Sequence, residues 1–167
     1  QLLKYNLKSI IILENHEPSL YEINMNLTQI NSKKTLIKPI LCDLKNYDFL
    51  LSIFKEYKVD IVFHTAAYKH VPLVELNPLQ GMANNIISSK NICDASLKNN
   101  VENLILISSD KAVRPTNIMG ATKRLSEIIF QAYANKFPKP IFSMVRFGNV
   151  LGSSGSVVPL FKKQIEN

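Results

Sequence analysis

The chain has 167 residues, of which 46% are hydrophobic and 20% charged, and this length suits one domain with a sizeable core. The composition excludes disorder, and the longest apolar run is shorter than the about 18 residues that a membrane-spanning helix needs. The two cysteines are too few for a disulfide framework or a cysteine-rich metal site, and this low number fits a reducing cytoplasm. Lysine and arginine exceed aspartate and glutamate by 20 to 13, but they are scattered and form no run interleaved with aromatics, so we expect no nucleic-acid partner.

Short apolar runs alternate with stretches of helical periodicity along the chain. The runs predict parallel β-strands because their apolarity is continuous, as in strands covered on both faces; they span residues 9–14, 36–41, 61–64, 104–108 and 142–147. Apolar residues at helical spacing predict helices over residues 18–30, 47–57, 78–99 and 117–137. This alternation predicts an α/β fold, a doubly wound, Rossmann-like parallel sheet, in which ligands bind at the carboxyl ends of the strands.

The two ends of the chain look cut from something longer. A dinucleotide-binding fold begins with a strand and a glycine-rich loop, yet no G-x-G-x-x-G occurs, and residues 1–6 resemble the tail of a first helix. We therefore expect residues 1–167 to be a partial dinucleotide-binding domain that lacks the glycine loop and most of a carboxyl-terminal substrate domain.

Acidic residues end the first two predicted strands. Glu14 stands where a dinucleotide fold places the acid that binds the adenosine ribose hydroxyls, and it favours NAD because it would repel a 2′-phosphate, although NADP stays open. After the second strand, the Asp43 carboxylate could accept from the adenine amino group beside the Leu44 backbone. A helix cap or turn is an equally good explanation for this aspartate.

Small residues follow the third predicted strand. Thr65, Ala66 and Ala67 would let the backbone approach a flat, phosphorylated cofactor closely, and Lys69 and His70 add polar groups beside it. A lone histidine in such a place is more often structural than catalytic. The histidines, at positions 16, 64 and 70, have no metal-ligand spacing, so we expect no metal site.

The segment after the fourth predicted strand carries the most chemistry. A serine, Asp110 and Lys111 stand at the carboxyl end of the strand, and this acid and this amine can supply an acid and a base in one site. Met119 and Lys123 follow at positions i and i+4, on one face of the next helix. On composition alone, however, the segment is only a polar loop followed by a helix.

Together these residues resemble the extended short-chain dehydrogenase/reductase superfamily, and most closely the UDP-N-acetylglucosamine 4,6-dehydratases of bacterial capsule, O-antigen and protein-glycosylation pathways. The resemblance covers nearly the whole chain and is carried by TAAYKHVPLVE (65–75), SSDKAVRPTNIMGATK (108–123) and RFGNVLGSSGSVVP (146–159). It implies an enzyme that holds a nicotinamide cofactor, oxidises UDP-N-acetylglucosamine at C4, removes the C5 proton, expels the C6 hydroxyl as water and returns hydride to C6. The C4 ketone acidifies the C5 hydrogen, so a mild base suffices, and the product is a UDP-4-keto-6-deoxy-hexosamine.

The resemblance also implies a role for individual residues. Asp110 matches the general acid for the C6 hydroxyl, Lys111 the base at C5, and Lys123 the lysine that contacts the nicotinamide ribose. Ser109 matches a hydroxyl that forms a hydrogen bond near C4 of the sugar, and Ser108 is assigned to cofactor binding. The residues assigned to nucleotide-sugar binding are Lys69, His70, Arg146, Asn149 and the serines from Ser153 to Ser156.

One position departs from the superfamily pattern Y-x-x-x-K. Met119 replaces the tyrosine, and a thioether cannot exchange a proton, so Asp110, Ser109 or a water molecule must accept the proton of the C4 hydroxyl. Methionine is usual in a large, membrane-anchored branch of the family beside the same Asp-Lys pair. We therefore expect a lyase on the cytoplasmic face of the bacterial inner membrane, anchored by segments outside this sequence, that forms homo-oligomers; the fragment alone should be inactive.

Two other functions remain open from the sequence. A nucleotide-sugar C4 epimerase shares the fold and the cofactor, but its usual tyrosine is absent and the Asp110-Lys111 pair favours elimination. A non-catalytic dinucleotide-binding scaffold is compatible with Met119 and disfavoured by the Asp-Lys pair.

Overall fold

The computed structural model describes residues 1–148, together with residues 161, 164 and 165. Within these residues five strands alternate with helices, which confirms the predicted α/β class. The strands are β1 (Ser9–Glu14), β2 (Leu36–Leu41), β3 (Ile61–His64), β4 (Asn103–Ser109) and β5 (Ile141–Phe147). The helices are α1 (Glu17–Ile30), α2 (Tyr47–Tyr57), α3 (Val71–Leu76), α4 (Pro78–Met82), α5 (Ser88–Lys98) and α6 (Ile118–Lys136).

All strand pairs in the described part of the chain are parallel. β1 pairs with β2, and β3, β4 and β5 form a second ladder in that order, with β4 in the middle. The register places Ser108 on β4 opposite Arg146 on β5. The carboxyl ends of parallel strands lie at one edge of a sheet, so the segments that follow β3 and β4 lie side by side.

The helices differ from the predicted ones in three places. The predicted helix over 78–99 is interrupted by a π-helical segment, Ala83–Ile87, between α4 and α5. Helix α3 was not predicted because six residues are too few to show helical periodicity. At the amino terminus, where the tail of a helix was expected, only Leu2–Lys4 form a 3₁₀ turn.

The core joins the two ladders through helix packing. Helix α2, which follows β2, packs against α5, which precedes β4. Phe130 of α6 stacks on His64 of β3 at a ring-centroid distance of 6.3 Å and meets Phe142 of β5 edge-on at 5.9 Å. The fully buried apolar cluster comprises Leu50, Phe54, Ile92, Cys93, Ala95, Val101, Leu104, Leu106 and Phe130.

The strand residues are less completely buried than their continuous apolarity predicts. In β4, alternate residues are buried, whereas Ile61 and Phe63 of β3 are each 51% exposed. In the described part of the chain no ladder joins β1 to β3, so β3 is an edge strand of its ladder. None of the helices over residues 1–148 combines the length and apolarity that crossing a bilayer requires.

Candidate active site

The Asp-Lys pair lies on a short turn directly after β4. Residues Asp110–Ala112 form a 3₁₀ turn whose first N–H groups are capped by Ser109, since the Ser109 Oγ accepts from the Lys111 N–H at 3.2 Å. The Ser109 hydroxyl also donates to Asp110 Oδ1 at 2.9 Å, and Lys111 Nζ lies 3.3 Å from the same oxygen. This turn therefore brings a hydroxyl, a carboxylate and an amine together at the surface, as the sequence predicts.

The same contacts set the protonation of the carboxylate. The hydrogen bond from Ser109, followed by the hydrogen bond and charge of Lys111, lowers the pKa of Asp110 below its ordinary value. Asp110 is therefore a carboxylate at neutral pH in this geometry. It can therefore donate a proton to a leaving group only after it has first accepted one.

Helix α6 presents the second group of predicted residues. The Asn117 side chain caps the helix by accepting from the Gly120 N–H at 2.7 Å, and Glu75 of α3 accepts from the Ile118 N–H. Met119 and Lys123 follow on one face, as their spacing predicts, with 3% and 7% of their surfaces exposed.

Lys123 is held against the end of β4. Its Nζ donates to the Ile107 carbonyl at 2.8 Å. Burial lowers the pKa of Lys123, and the negative charge of Glu127 opposes that shift. Met119 fills the position one turn earlier, where its thioether has no proton to give, so it contributes packing at this place.

Sequence reasoning missed a buried carboxylate behind these residues. Glu127, one turn after Lys123 on α6, is 1% exposed and accepts from Ser108 Oγ at 2.7 Å. Arg146 donates to it through Nε at 2.8 Å and through NH2 at 2.7 Å, and Arg124 adds a bond at 2.9 Å. The guanidinium of Arg146, expected to bind the nucleotide-sugar, thus lies against a protein carboxylate. The sequence offered one signal for this site: Glu127 follows a serine on the apolar face of a predicted helix.

Asn85, also missed, organises the loop after β3. Its side chain accepts from the Tyr68 N–H at 2.7 Å and donates to the Tyr68 carbonyl at 3.1 Å and to Thr122 Oγ at 2.9 Å. Asn85 lies in the π-helical segment, where the backbone carbonyl is released from ordinary α-helical pairing, and that carbonyl accepts from Ser89 and Ser126. An Asn-Asn pair within an apolar helical stretch was the signal.

The loop that Asn85 holds contains the small residues expected beside the cofactor. Thr65 and Ala66 are exposed and Ala67 is half-buried, so this backbone is open to a bound molecule. Lys69 and His70 are exposed at the start of α3, next to this backbone.

Glu14 and the Asp43-Leu44 pair lie at the ends of β1 and β2. Glu14 Oε1 accepts from the backbone N–H groups of residues 15 and 16, at 2.9 and 3.0 Å, which fixes the carboxylate of this half-buried residue at the strand end. Asp43 makes a turn instead of a helix cap: it accepts from the Lys45 N–H at 2.9 Å and pairs with Lys45 Nζ at 2.8 Å. The Leu44 carbonyl accepts from Asn91.

His64 is buried and neutral. Burial, followed by the charge of Lys123, lowers its pKa to about 3, and its Nε2 lies 3.0 Å from Ser89 Oγ. It therefore fits a structural histidine, and residues 1–148 hold no cluster of three or more possible metal ligands. Asn149 and the serines at 153 and 156 lie outside the described residues.

Sequence comparison identifies relatives of known name. The profile of the family described as "Polysaccharide biosynthesis protein" matches residues 1–167. The chain is 42% identical over 167 residues to the capsular polysaccharide biosynthesis protein CapD of Staphylococcus aureus, which covers 100% of this chain and 28% of CapD. It is 38% identical over 164 residues to a UDP-N-acetylglucosamine 4,6-dehydratase (inverting) of Campylobacter jejuni, covering 93% of this chain and 48% of that protein. It is also 42% identical over 132 residues to a UDP-glucose 4-epimerase of Rickettsia bellii, covering 78% and 38%.

A solved structure agrees with this relationship. The X-ray structure of Pen from Bacillus thuringiensis superposes with a TM-score of 0.89 at 32% identity, over 99% of this chain and 50% of that one. The chain spans half or less of the length of the relatives it matches. Because the family profile matches the whole chain, the chain belongs to the polysaccharide biosynthesis protein family.

Proposed function

We propose that this chain contributes the reactive centre of a nucleotide-sugar 4,6-dehydratase that acts on UDP-N-acetylglucosamine. The observation that carries the proposal is the Asp110-Lys111 pair at the end of β4, beside the buried Lys123. An elimination needs a base for a carbon acid and an acid for a leaving hydroxyl, and this turn supplies both groups within one surface. A simple alcohol oxidation would need only one proton acceptor.

The described residues fit a nicotinamide dinucleotide. The Glu14 carboxylate at the end of β1 suits the two hydroxyls of an adenosine ribose and disfavours a 2′-phosphate, so NAD is the expected form. The open backbone at residues 65–67 suits close contact with the dinucleotide, and Lys123 suits the nicotinamide ribose. When bound, this cofactor accepts a hydride from the sugar and later returns it.

The ionised state of Asp110 suggests an order of proton transfers. As a carboxylate it can accept the proton of the C4 hydroxyl while the sugar is oxidised, a role that Met119 cannot fill. Asp110 is then protonated when the C6 hydroxyl leaves, so it can pass the same proton to that group as water forms. Lys111 must first lose its ammonium proton to solvent. Its neutral amine then takes the C5 proton in the elimination and delivers a solvent-exchanged proton to C5 once hydride has reached C6. The sugar loses one water overall, and both residues return to their starting states.

The test uses the protein at its full natural length, with UDP-N-acetylglucosamine in deuterated water and detection by mass spectrometry and NMR. Loss of one water with deuterium at C5 would support the dehydratase. Conversion to UDP-N-acetylgalactosamine with no loss of water would identify an epimerase instead. Tight NAD binding without any reaction would favour a non-catalytic role.

Two variants sharpen this experiment. Asp110→Asn removes the proton relay and Lys111→Ala removes the base, and both groups lie at the surface, so neither change should disturb the fold. Lys90→Gln, which breaks the exposed Lys90-Asp94 pair on α5, is the matched control for loss of a surface charge. Dehydration by the Asp110→Asn and Lys111→Ala variants at the rate of the control would contradict the proposal.

A further inference from the structure

Glu127 is the one charged carboxylate of residues 1–148 that is almost entirely buried. An unpaired carboxylate buried to this extent would be strongly unfavourable, so Glu127 depends on its hydrogen-bond partners. Both of its oxygens are occupied: Oε1 accepts from Ser108 and from Arg146 Nε, and Oε2 accepts from Arg146 NH2 and from Arg124. The bidentate contact with Arg146 is the strongest geometry for this type of pair.

These bonds connect three elements that are distant in sequence. Ser108 stands at the end of β4, Arg146 lies opposite it on β5, and Glu127 belongs to α6. One turn earlier on the same face of α6, Lys123 bonds to the carbonyl of Ile107, the neighbour of Ser108 in β4. Two adjacent contacts therefore fix α6 against the end of β4, immediately before the turn that carries the Asp-Lys pair.

The pKa of Glu127 agrees with this geometry. Hydrogen bonds from Arg146, together with those from Ser108 and Arg124, outweigh burial and lower the pKa to about 2. The carboxylate is therefore charged at every pH at which the protein would work.

We infer that Glu127 is a positioning residue that, together with Arg146, holds Lys123 and the end of β4 in their reactive arrangement, and that Arg146 acts through this carboxylate instead of binding substrate phosphate. This inference rests on the proposed function for the reaction that it supports. It follows from the contacts, because both the Nε and NH2 groups of Arg146 are already directed at Glu127. A diphosphate that drew these two groups of Arg146 away would leave a buried carboxylate without its bidentate partner.

A double-mutant cycle tests the inference in the full-length protein. Glu127→Gln, Arg146→Gln and the double variant are compared with wild type for kcat, for KM with UDP-N-acetylglucosamine, and for NAD⁺ affinity by calorimetry. We expect each single change to lower kcat roughly 10- to 100-fold, because a displacement of about 1 Å at a catalytic group has that effect, while KM changes less than about threefold. The double variant should be no worse than the worse single one, since both remove the same unit.

Arg146→Lys separates charge from geometry. Lysine keeps the positive charge but cannot form two parallel hydrogen bonds, so we expect it to behave like Arg146→Gln. If Arg146 instead binds phosphate, the KM of Arg146→Lys should be much closer to the wild-type value than the KM of Arg146→Gln. The Lys90→Gln variant is the control, and urea unfolding of each variant establishes that the assayed protein is folded.

The inference is overturned if the two losses multiply, or if Arg146→Gln raises KM with kcat unchanged. The proposed function can fail separately. If wild type does not dehydrate UDP-N-acetylglucosamine, the same cycle is read from the NAD⁺ dissociation constant. Non-additive weakening of NAD⁺ binding would then support the positioning role, and additive or absent weakening would refute it.

Discussion

At Gly120, the addition of a single methyl group should lower activity far more than stability. A Cβ at this residue would lie 2.4 Å from the Lys111 carbonyl oxygen, 3.1 Å from Pro115 Cβ and 3.3 Å from Asn117 Oδ1. The first distance is shorter than any real contact of a Cβ, and the atom it meets is backbone. Gly120→Ala must therefore push helix α6 and the Asp110–Ala112 turn apart by at least about 0.6 Å.

The structure gives a magnitude for both effects. Overpacking of this kind costs about 1–3 kcal/mol, and alanine in a helix recovers about 1 kcal/mol relative to glycine, so the free energy of unfolding should fall by roughly 0–2 kcal/mol. The separation moves Lys111 relative to Lys123. A displacement of about 1 Å in a catalytic site lowers the rate roughly 100-fold, so kcat should fall by one to two orders of magnitude.

Gly81→Ala is the matched control. Its Cβ would lie 2.6 Å from Val74 Cγ1, which is a side-chain atom on α3 and not part of the turn that carries Asp110. We expect a comparable loss in the urea unfolding midpoint with kcat within about twofold of wild type. If Gly120→Ala keeps wild-type kcat, then the distance between α6 and the turn does not govern the reaction and the reasoning is wrong.

Three further predictions follow from buried and paired groups. Met119→Tyr should lower the free energy of unfolding by about 1–3 kcal/mol without raising kcat, because the larger side chain enters a site that is 3% exposed; a stable variant with higher turnover would contradict this. The pKa of His64 is about 3 in the folded chain against 6.5 for an ordinary histidine, so the unfolded chain binds the proton first and stability should fall as pH drops from 6.5 to 3. His64→Gln should reduce this loss in urea midpoints measured across that range, and an unchanged pH profile would contradict it. The pKa of Glu127 is about 2 against 4.5, so its contribution to stability is complete above pH 4.5 and is lost as pH falls toward 2. Glu127→Gln should be less stable at pH 7 and show a shallower acid profile, and equal stability at pH 7 would contradict this.

The sequence by itself determined the order and type of the main elements. Continuous apolar runs of strand length favour parallel strands, and helical periodicity between them leaves little choice of class. The sequence also placed Asp110, Lys111, Met119 and Lys123 correctly on one turn and one helix face, because those positions depend on local spacing. Short or irregular elements escaped it: α3 has too few residues for a period, and the π-helical segment has the same apolar pattern as an α-helix.

Only the tertiary structure decided which polar groups are buried and what they contact. Nothing in the sequence pairs Glu127 with Arg146, which is 19 positions away, yet β4, β5 and α6 bring them into one bidentate pair. Asn85 likewise reaches Tyr68 and Thr122 across 17 and 37 positions. Local propensity carries no information about such contacts, because the energy of a buried polar group depends on partners that arrive only when distant segments pack together.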